Sequence, residues 1–428
     1  MSRAAAVLLA VIALLAAAPA SALADAAVAE LGRPAPVAAY GGWSAWSATD
    51  ASGRYVLHLR GPDGTIRPAP YPSSSLPWDV SLGPDATGRP VAILRRCTPR
   101  GCDLQLLDPE RGSAEALPSV SSPSYREATP AIWRSIVAFT RRVRGCDVPY
   151  VKDLRSRAPS RRLLHSKCLQ TAAGQVDVRG TRIVVSSVDM SEADEHGAGR
   201  KVAEVRRYSA RGGPSTVLLA QGFGEEENVF GQLAQDERHV WTVRHGLNRG
   251  SFIRVPSAGG RREEVTAFGV LTGGFAKAPD GNPLYVEAQD VESCGDFTAV
   301  PCRLVEASAD PFGSTVRPLA PRLTVAYTGT PRAGQPLAFS GTLTQRVVAG
   351  GELLRSDPLA GVTVDLRARV GQGPEQFAPT GLTAATGPDG SWAITLPSLS
   401  GPPWYTAVAA TPVVSTWAGR GTVGSTMP

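Results

Sequence analysis

Lysine is nearly missing from this chain. Lys152, Lys167, Lys201 and Lys277 are the only four in 428 residues, so the 44 basic side chains are almost all arginine. Charge of either sign is sparse, at 19% of residues, and the balance of 44 basic against 38 acidic groups leaves a formal net charge of +6. With 43% apolar residues, that excludes a disordered chain or an acidic or basic tail protein. Cysteine is too rare, at six, for a disulfide-stapled miniprotein. Glycine (45) and proline (36) show no collagen repeat, yet they are frequent enough to demand many turns and few long helices. There is no G-x-S-x-G elbow, no H-E-x-x-H and no P-loop, so the familiar signatures of hydrolases, zinc proteases and nucleotide enzymes are absent.

Long apolar runs are scarce as well. Ala4–Ala18 is a run of 15 residues, short of the roughly 20 that span a bilayer. Arg3 precedes it and Ala22-Leu23-Ala24 follows it. This is the layout of a secretory signal peptide over Met1–Ala24, cut before Asp25. No cysteine sits at that cut to take a lipid, and Gly424–Pro428 carries no apolar tail. The expectation is a secreted chain, extracellular or in the cell envelope, with no membrane span after cleavage. In that compartment Cys97, Cys102, Cys146, Cys168, Cys294 and Cys302 are expected to form three disulfides. Proximity favours 97–102, 146–168 and 294–302 among fifteen possible pairings. The C-x4-C and C-x7-C spacings lack the C-x2-C form of zinc knuckles.

A hexamer rich in β-branched and aromatic residues recurs at Gly41–Trp46, Arg89–Leu94, Ser135–Thr140, Thr181–Ser186, Arg238–Val243 and Asn282–Glu287. Its third residues, from Trp43 to Leu284, are spaced by 48, 46, 46, 57 and 44 positions. One strand-like segment precedes each hexamer and two follow it. Six such units of four strands predict an all-β fold, a six-bladed β-propeller over 25–320. A single twisted sheet cannot bury both faces alone, whereas sheets packed around a ring cover one another. An array of β-sandwiches is the structural alternative. Thr315–Ala320 is expected as the outer strand of the sixth unit. Val28–Pro36 is available to close the ring, by a strand the sequence does not single out. Residues 322–428 contain no cysteine and little charge. Their six or seven short alternating strands, broken by turns such as Gly387-Pro388-Asp389-Gly390, suggest an Ig-like β-sandwich.

Phe275–Tyr285, with Pro279-Asp280-Gly281 at its centre, resembles the Pro-Asp-Gly repeat of TolB-like propellers, and Gly83–Pro90 is similar to a lengthened copy. The segments around Gly341–Leu343, Gly361–Val364 and Thr386–Trp392 resemble the Ig-like domains of bacterial surface proteins. The first resemblance implies a periplasmic-type interaction scaffold, and the second a spacer or adhesive module.

In this architecture the hairpins between second and third strands share a face with the links between units. Every cysteine is expected on that loop face, together with the acidic loops holding Glu192, Asp194, Glu195, Glu225 and Glu226. Those carboxylates are weak candidates for a Ca²⁺ site, against the plainer reading of solvated acidic loops. No other cofactor is expected. The five histidines are too scattered to define a triad, and the tryptophans are expected mostly in the core. The arginine pairs Arg141-Arg142, Arg161-Arg162, Arg206-Arg207 and Arg261-Arg262 suggest solvated strand edges rather than a nucleic-acid stripe. The expected function is therefore a monomeric, non-enzymatic binding scaffold that meets a protein or a cell-envelope glycan through its loop face. A glycosidase or lyase with carboxylates at the central funnel is the alternative.

Overall fold

The computed structural model describes residues 25–420 apart from positions 51, 99–100, 123–124, 144, 164–174, 194–198, 224–228, 246–249, 268–269, 280, 289–301, 320, 330–333, 371–377, 398–402 and 412–413. Among the described residues there are strands and turns but no helix. The signal segment 1–24 lies outside them.

Five four-stranded antiparallel sheets follow one another in chain order. Their first strands are Val37–Tyr40, Val80–Pro84, Glu127–Trp133, Val176–Arg179 and Val229–Gln235. A sixth sheet begins at Val270–Lys277, continues through Pro283–Ala288 and Cys302–Glu306, and takes Ala26–Leu31 as its fourth strand. Each first strand lies against the first strand of the next sheet, and the sixth against the first, so the sheets form a closed ring.

The recurrent hexamers are the second strands, and their composition follows from burial on both faces. In Pro90–Thr98, Ala92 and Leu94 pack toward the first sheet with Leu57 and Trp78. The alternate residues Val91 and Ile93 pack toward the third sheet with Ile132 and Phe139. Val137 and Phe139 face back while Ala138 faces forward with Ile183 and Val185. An apolar cluster of this kind fills every gap between sheets. The gap that closes the ring holds Val37 and Trp46 against Leu31, Val286 and Leu304.

Arginines sew neighbouring sheets together from the outside. Arg67 Nη2 donates to the Pro109 carbonyl, Arg161 Nη2 to Ala210 O at 2.9 Å, and Arg207 Nη1 to Ser257 O at 2.5 Å. Arg60 pairs with Glu306 at 2.6 Å across the closing gap. Arg161 and Arg207 are thus inter-sheet clamps, not the freely solvated edge residues the sequence suggested. A guanidinium presents its donors in one planar, pre-organised fork, whereas a lysine ammonium is a compact, strongly hydrated point charge.

One expectation is corrected. The outer strand of the sixth sheet is Ala26–Leu31, not Thr315–Ala320; Arg317–Pro318 instead pairs with Val347 and Val348 of the long strand Leu337–Ala349. Beyond it, the tail forms two sheets over one core. Leu337, Phe339, Leu343, Trp392 and Ile394 face Val364, Leu366, Ala407 and Ala409. Strands Glu352–Pro358 and Val414–Arg420 were not anticipated.

The closing gap generates a prediction. Leu31→Ala removes a side chain with no exposed surface and is expected to cost about 3 kcal/mol. Ile66→Ala, on an exposed outer strand, is expected to cost less than about 0.5 kcal/mol. Urea unfolding of the two variants measures both.

Candidate functional site

The six first strands line an axial channel. Its cavity amounts to about 60 Å³, room for a few waters. The narrowness has a visible cause in Gln232. Its Oε1 accepts from Val37 N at 2.7 Å and Phe275 N at 3.0 Å, and its Nε2 donates to Val37 O at 3.1 Å. One amide thus satisfies backbone groups of the first and sixth sheets from the fifth. These groups would otherwise be orphaned at the strand edges that face the axis.

Two carboxyls line the channel. Asp79 Oδ2 accepts from Thr129 N at 2.6 Å and lies 3.9 Å from Arg95 Nε. Burial still raises its pKa. Asp177 sits between Val176 and Val178, whose side chains pack on the third sheet. Burial pushes its carboxyl up to about 7, against the opposing pull of the Val178 N–H, the Gln235 amide, Arg179 and Arg182. Arg182 is itself committed to Gln235 Oε1 at 2.7 Å and Asp236 O at 2.6 Å. At the same end Lys277 Nζ reaches Gly281 O at 3.2 Å and lies 5.1 Å from the Trp241 ring.

The first-to-second hairpins of all six sheets form the face opposite the loop face, here called the turn face. An open groove of about 910 Å³ crosses it between the third and fourth sheets, bounded by Trp133–Ile136, Asp153–Arg161, Gly180–Thr181 and Ala210–Arg211. That volume lies in the range of ligand sites, which the channel does not approach.

Most residues singled out from sequence fall elsewhere or outside the description. Asp194, Glu195, Glu225 and Glu226 lie outside the described residues, and only the backbone of Glu192 is described, paired opposite Arg200. Among the described residues no cluster of His, Cys, Asp or Glu is arranged to hold a metal. Cys97 and Cys102 face each other across the hairpin of the second sheet and are bonded to each other. Cys302 is also disulfide-bonded. Cys146 and Cys302 begin third strands, on the expected face, while Cys168 and Cys294 lie outside the described residues. Trp46, Trp78 and Trp241 are core residues. Asp79, Asp177 and Gln232 were missed. The only signal for Asp177 was an acid inside an apolar triplet.

Two aspartates cap hairpin turns. Asp85 Oδ1 accepts from Thr87 N at 2.8 Å and Arg89 N at 3.0 Å, and Asp50 does the same for Ser52 and Arg54. This is turn chemistry with a local mechanism, and it keeps the carboxylates ionised.

No family model matches the chain, and no curated protein matches it. Among solved structures, it is similar to TolB from Acinetobacter baumannii, at 15% identity over 63% of this chain and 65% of that one, with a TM-score of 0.40. A putative TolB from Agrobacterium tumefaciens is 12% identical over 77% and 93%, with a TM-score of 0.39. A puromycin hydrolase is 14% identical over 75% and 62%, also at 0.39. The chain thus spans under two thirds of the length of the Acinetobacter TolB and of the hydrolase.

Asp177 makes stability depend on pH. Unfolded, its carboxyl titrates at the ordinary 3.8; folded, it holds its proton to about 7. The folded state therefore binds the extra proton between those values. The stabilisation is complete below about pH 3.8 and is lost as pH climbs to about 7. Asp177→Asn is expected to flatten that slope and to melt higher than the parent chain at pH 8, as measured by thermal unfolding across pH 4–8.

Proposed function

We propose that the chain is an exported six-bladed β-propeller of TolB-like kind carrying an Ig-like β-sandwich, and that it works as a binding scaffold rather than an enzyme. The propeller occupies 25–320 and the sandwich 322–428. The sandwich acts as spacer or adhesive module, and the loop face meets a protein or cell-envelope glycan. The observation that carries this reading is the axial channel. At about 60 Å³ it admits no sugar ring, and its Gln232 amide and Gln235 carbonyl are spent on holding the sheets together. The bonded Cys97–Cys102 hairpin supports the loop face as a stiffened surface in an oxidising compartment. The capped turn at Asp85 supports the likeness to Pro-Asp-Gly propellers.

One observation favours the alternative of a channel glycosidase or lyase. Asp177 holds a proton near neutral pH, as a general acid must, with Asp79 as the second channel carboxyl.

Co-sedimentation of the mature chain with purified envelope glycan, and with the same material after protease treatment, separates the two. The scaffold reading expects retention without release of reducing or unsaturated sugar, weakened several-fold by Cys97→Ser with Cys102→Ser and unchanged by Asp177→Asn. Sugar release abolished by Asp177→Asn would establish the enzyme instead.

A further inference from the structure

The turn-face groove is lined by four arginines, Arg134, Arg155, Arg161 and Arg211, against one acid, Asp153. Two of the four are spoken for. Arg155 Nη2 pairs with Asp153 at 3.1 Å, and Arg161 clamps the Ala210 carbonyl. Arg134 and Arg211 are exposed, and no acceptor among the described residues holds either guanidinium. Like charges gathered on one rim repel, so nothing in the fold rewards this arrangement.

Arg134 carries a second anomaly. Its φ is +55°, the left-handed region that a non-glycine residue enters only under constraint. The equivalent hairpins of the first and fourth sheets begin with Gly41 (φ +57°) and Gly180 (φ +61°). The backbone here is bolted in place from both sides. Arg134 N donates to Pro84 O at 2.6 Å, and Leu154 N donates to Ser135 O at 2.7 Å. Where two sister turns use glycine, this one holds a strained, unpaired arginine at the edge of a groove of about 910 Å³. Strain kept at such a place points to a task for the side chain.

We propose that this groove binds an acidic peptide segment of a protein partner, with its carboxylates on Arg134 and Arg211. The guanidinium fork matches a carboxylate in shape as well as charge. Ile136, Val151, Ala158 and Pro159 give the groove apolar walls for the side chains between those carboxylates. A glycan is the poorer fit. Trp133, the aromatic ring in the groove, has Arg179 4.6 Å over its face and Tyr40 against it at 5.8 Å. The face of that ring that Arg179 covers is closed to a stacked sugar.

This site is independent of the loop-face reading and is tested separately. The probe is a fluorescein-labelled peptide of alternating glutamate and leucine, titrated by anisotropy in low salt. Polygalacturonate, polyphosphate and the glutamine version of the peptide serve as competitors. Arg134→Gly is expected to weaken binding about tenfold and, at the same time, to raise the melting temperature. Arg211→Gln is expected to weaken binding several-fold, and Arg261→Gln, an exposed arginine on the turn between the outer strands of the fifth sheet, to leave it unchanged. A structural arginine could not yield tighter folding and weaker binding together. The proposal is overturned if Arg134→Gly binds the peptide like the parent chain, if it melts lower, or if polygalacturonate or polyphosphate binds and the peptide does not.

Discussion

The pairing of Ala26–Leu31 with Cys302–Glu306 is the contact on which the ring depends. Every other sheet of the ring is built from consecutive chain, so its strands find one another by short hairpins. This one joins segments some 275 positions apart, and until it forms the sixth sheet is a strand short. Asp25, fully buried at the head of the strand, fixes the joint. Its carboxylate accepts from Ser308 N at 2.8 Å and Tyr285 Oη at 3.0 Å, and its own N–H donates to Pro318 O at 3.0 Å. The same few residues therefore close the ring and hold the first strand of the tail's sheet. Closure and attachment of the tail are coupled through one short segment near the proposed export cut.

What the sequence disclosed follows the same physics. Second strands were legible because burial on both faces forces unbroken apolar runs such as Val91–Leu94, and hairpins because Asp85 and Asp50 cap their turns. Outer strands were weakly legible because they are short and exposed, as in Ile66–Pro68 and Ala114–Ala116, where solvent imposes no pattern. The closing strand was legible only in part: the N-terminal stretch offered as Val28–Pro36 does close the ring, but as Ala26–Leu31 and as the outer strand. Pairing between distant segments leaves no local mark, so the nearer Thr315–Ala320 looked like the better candidate. The groove shows the same limit, since it is assembled from hairpins of two sheets and only the fold brings Arg134 and Arg211 to one rim.

The dominance of arginine over lysine acquires a structural meaning. A ring of sheets leaves carbonyls on the turns at its outer edge, and neighbouring sheets meet there through few apolar atoms. Arg67, Arg161 and Arg207 each donate to carbonyls of the next sheet there, and Arg182 does so nearer the axis. A planar donor set suits that task, whereas an ammonium would keep its water. Lys152 is the exception that shows the difference. It is buried and spends its charge on two carbonyls of its own connection, Ser156 O and Ala158 O.

Polar groups in this molecule therefore divide by what already satisfies them. Around the axis, Gln232, Arg182 and Asp79 are consumed by the sheets they join, and Asp177 answers its burial by holding a proton. A site so fully committed has little left with which to greet a ligand, and changing it would loosen the ring. On the turn face the committed arginines, Arg155 and Arg161, stand beside uncommitted ones, Arg134 and Arg211. Such a surface is stiff where the fold needs it and unsatisfied where a partner can supply the missing charge. That division, more than any single motif, separates the part of the ring that holds itself together from the part free to recognise something else.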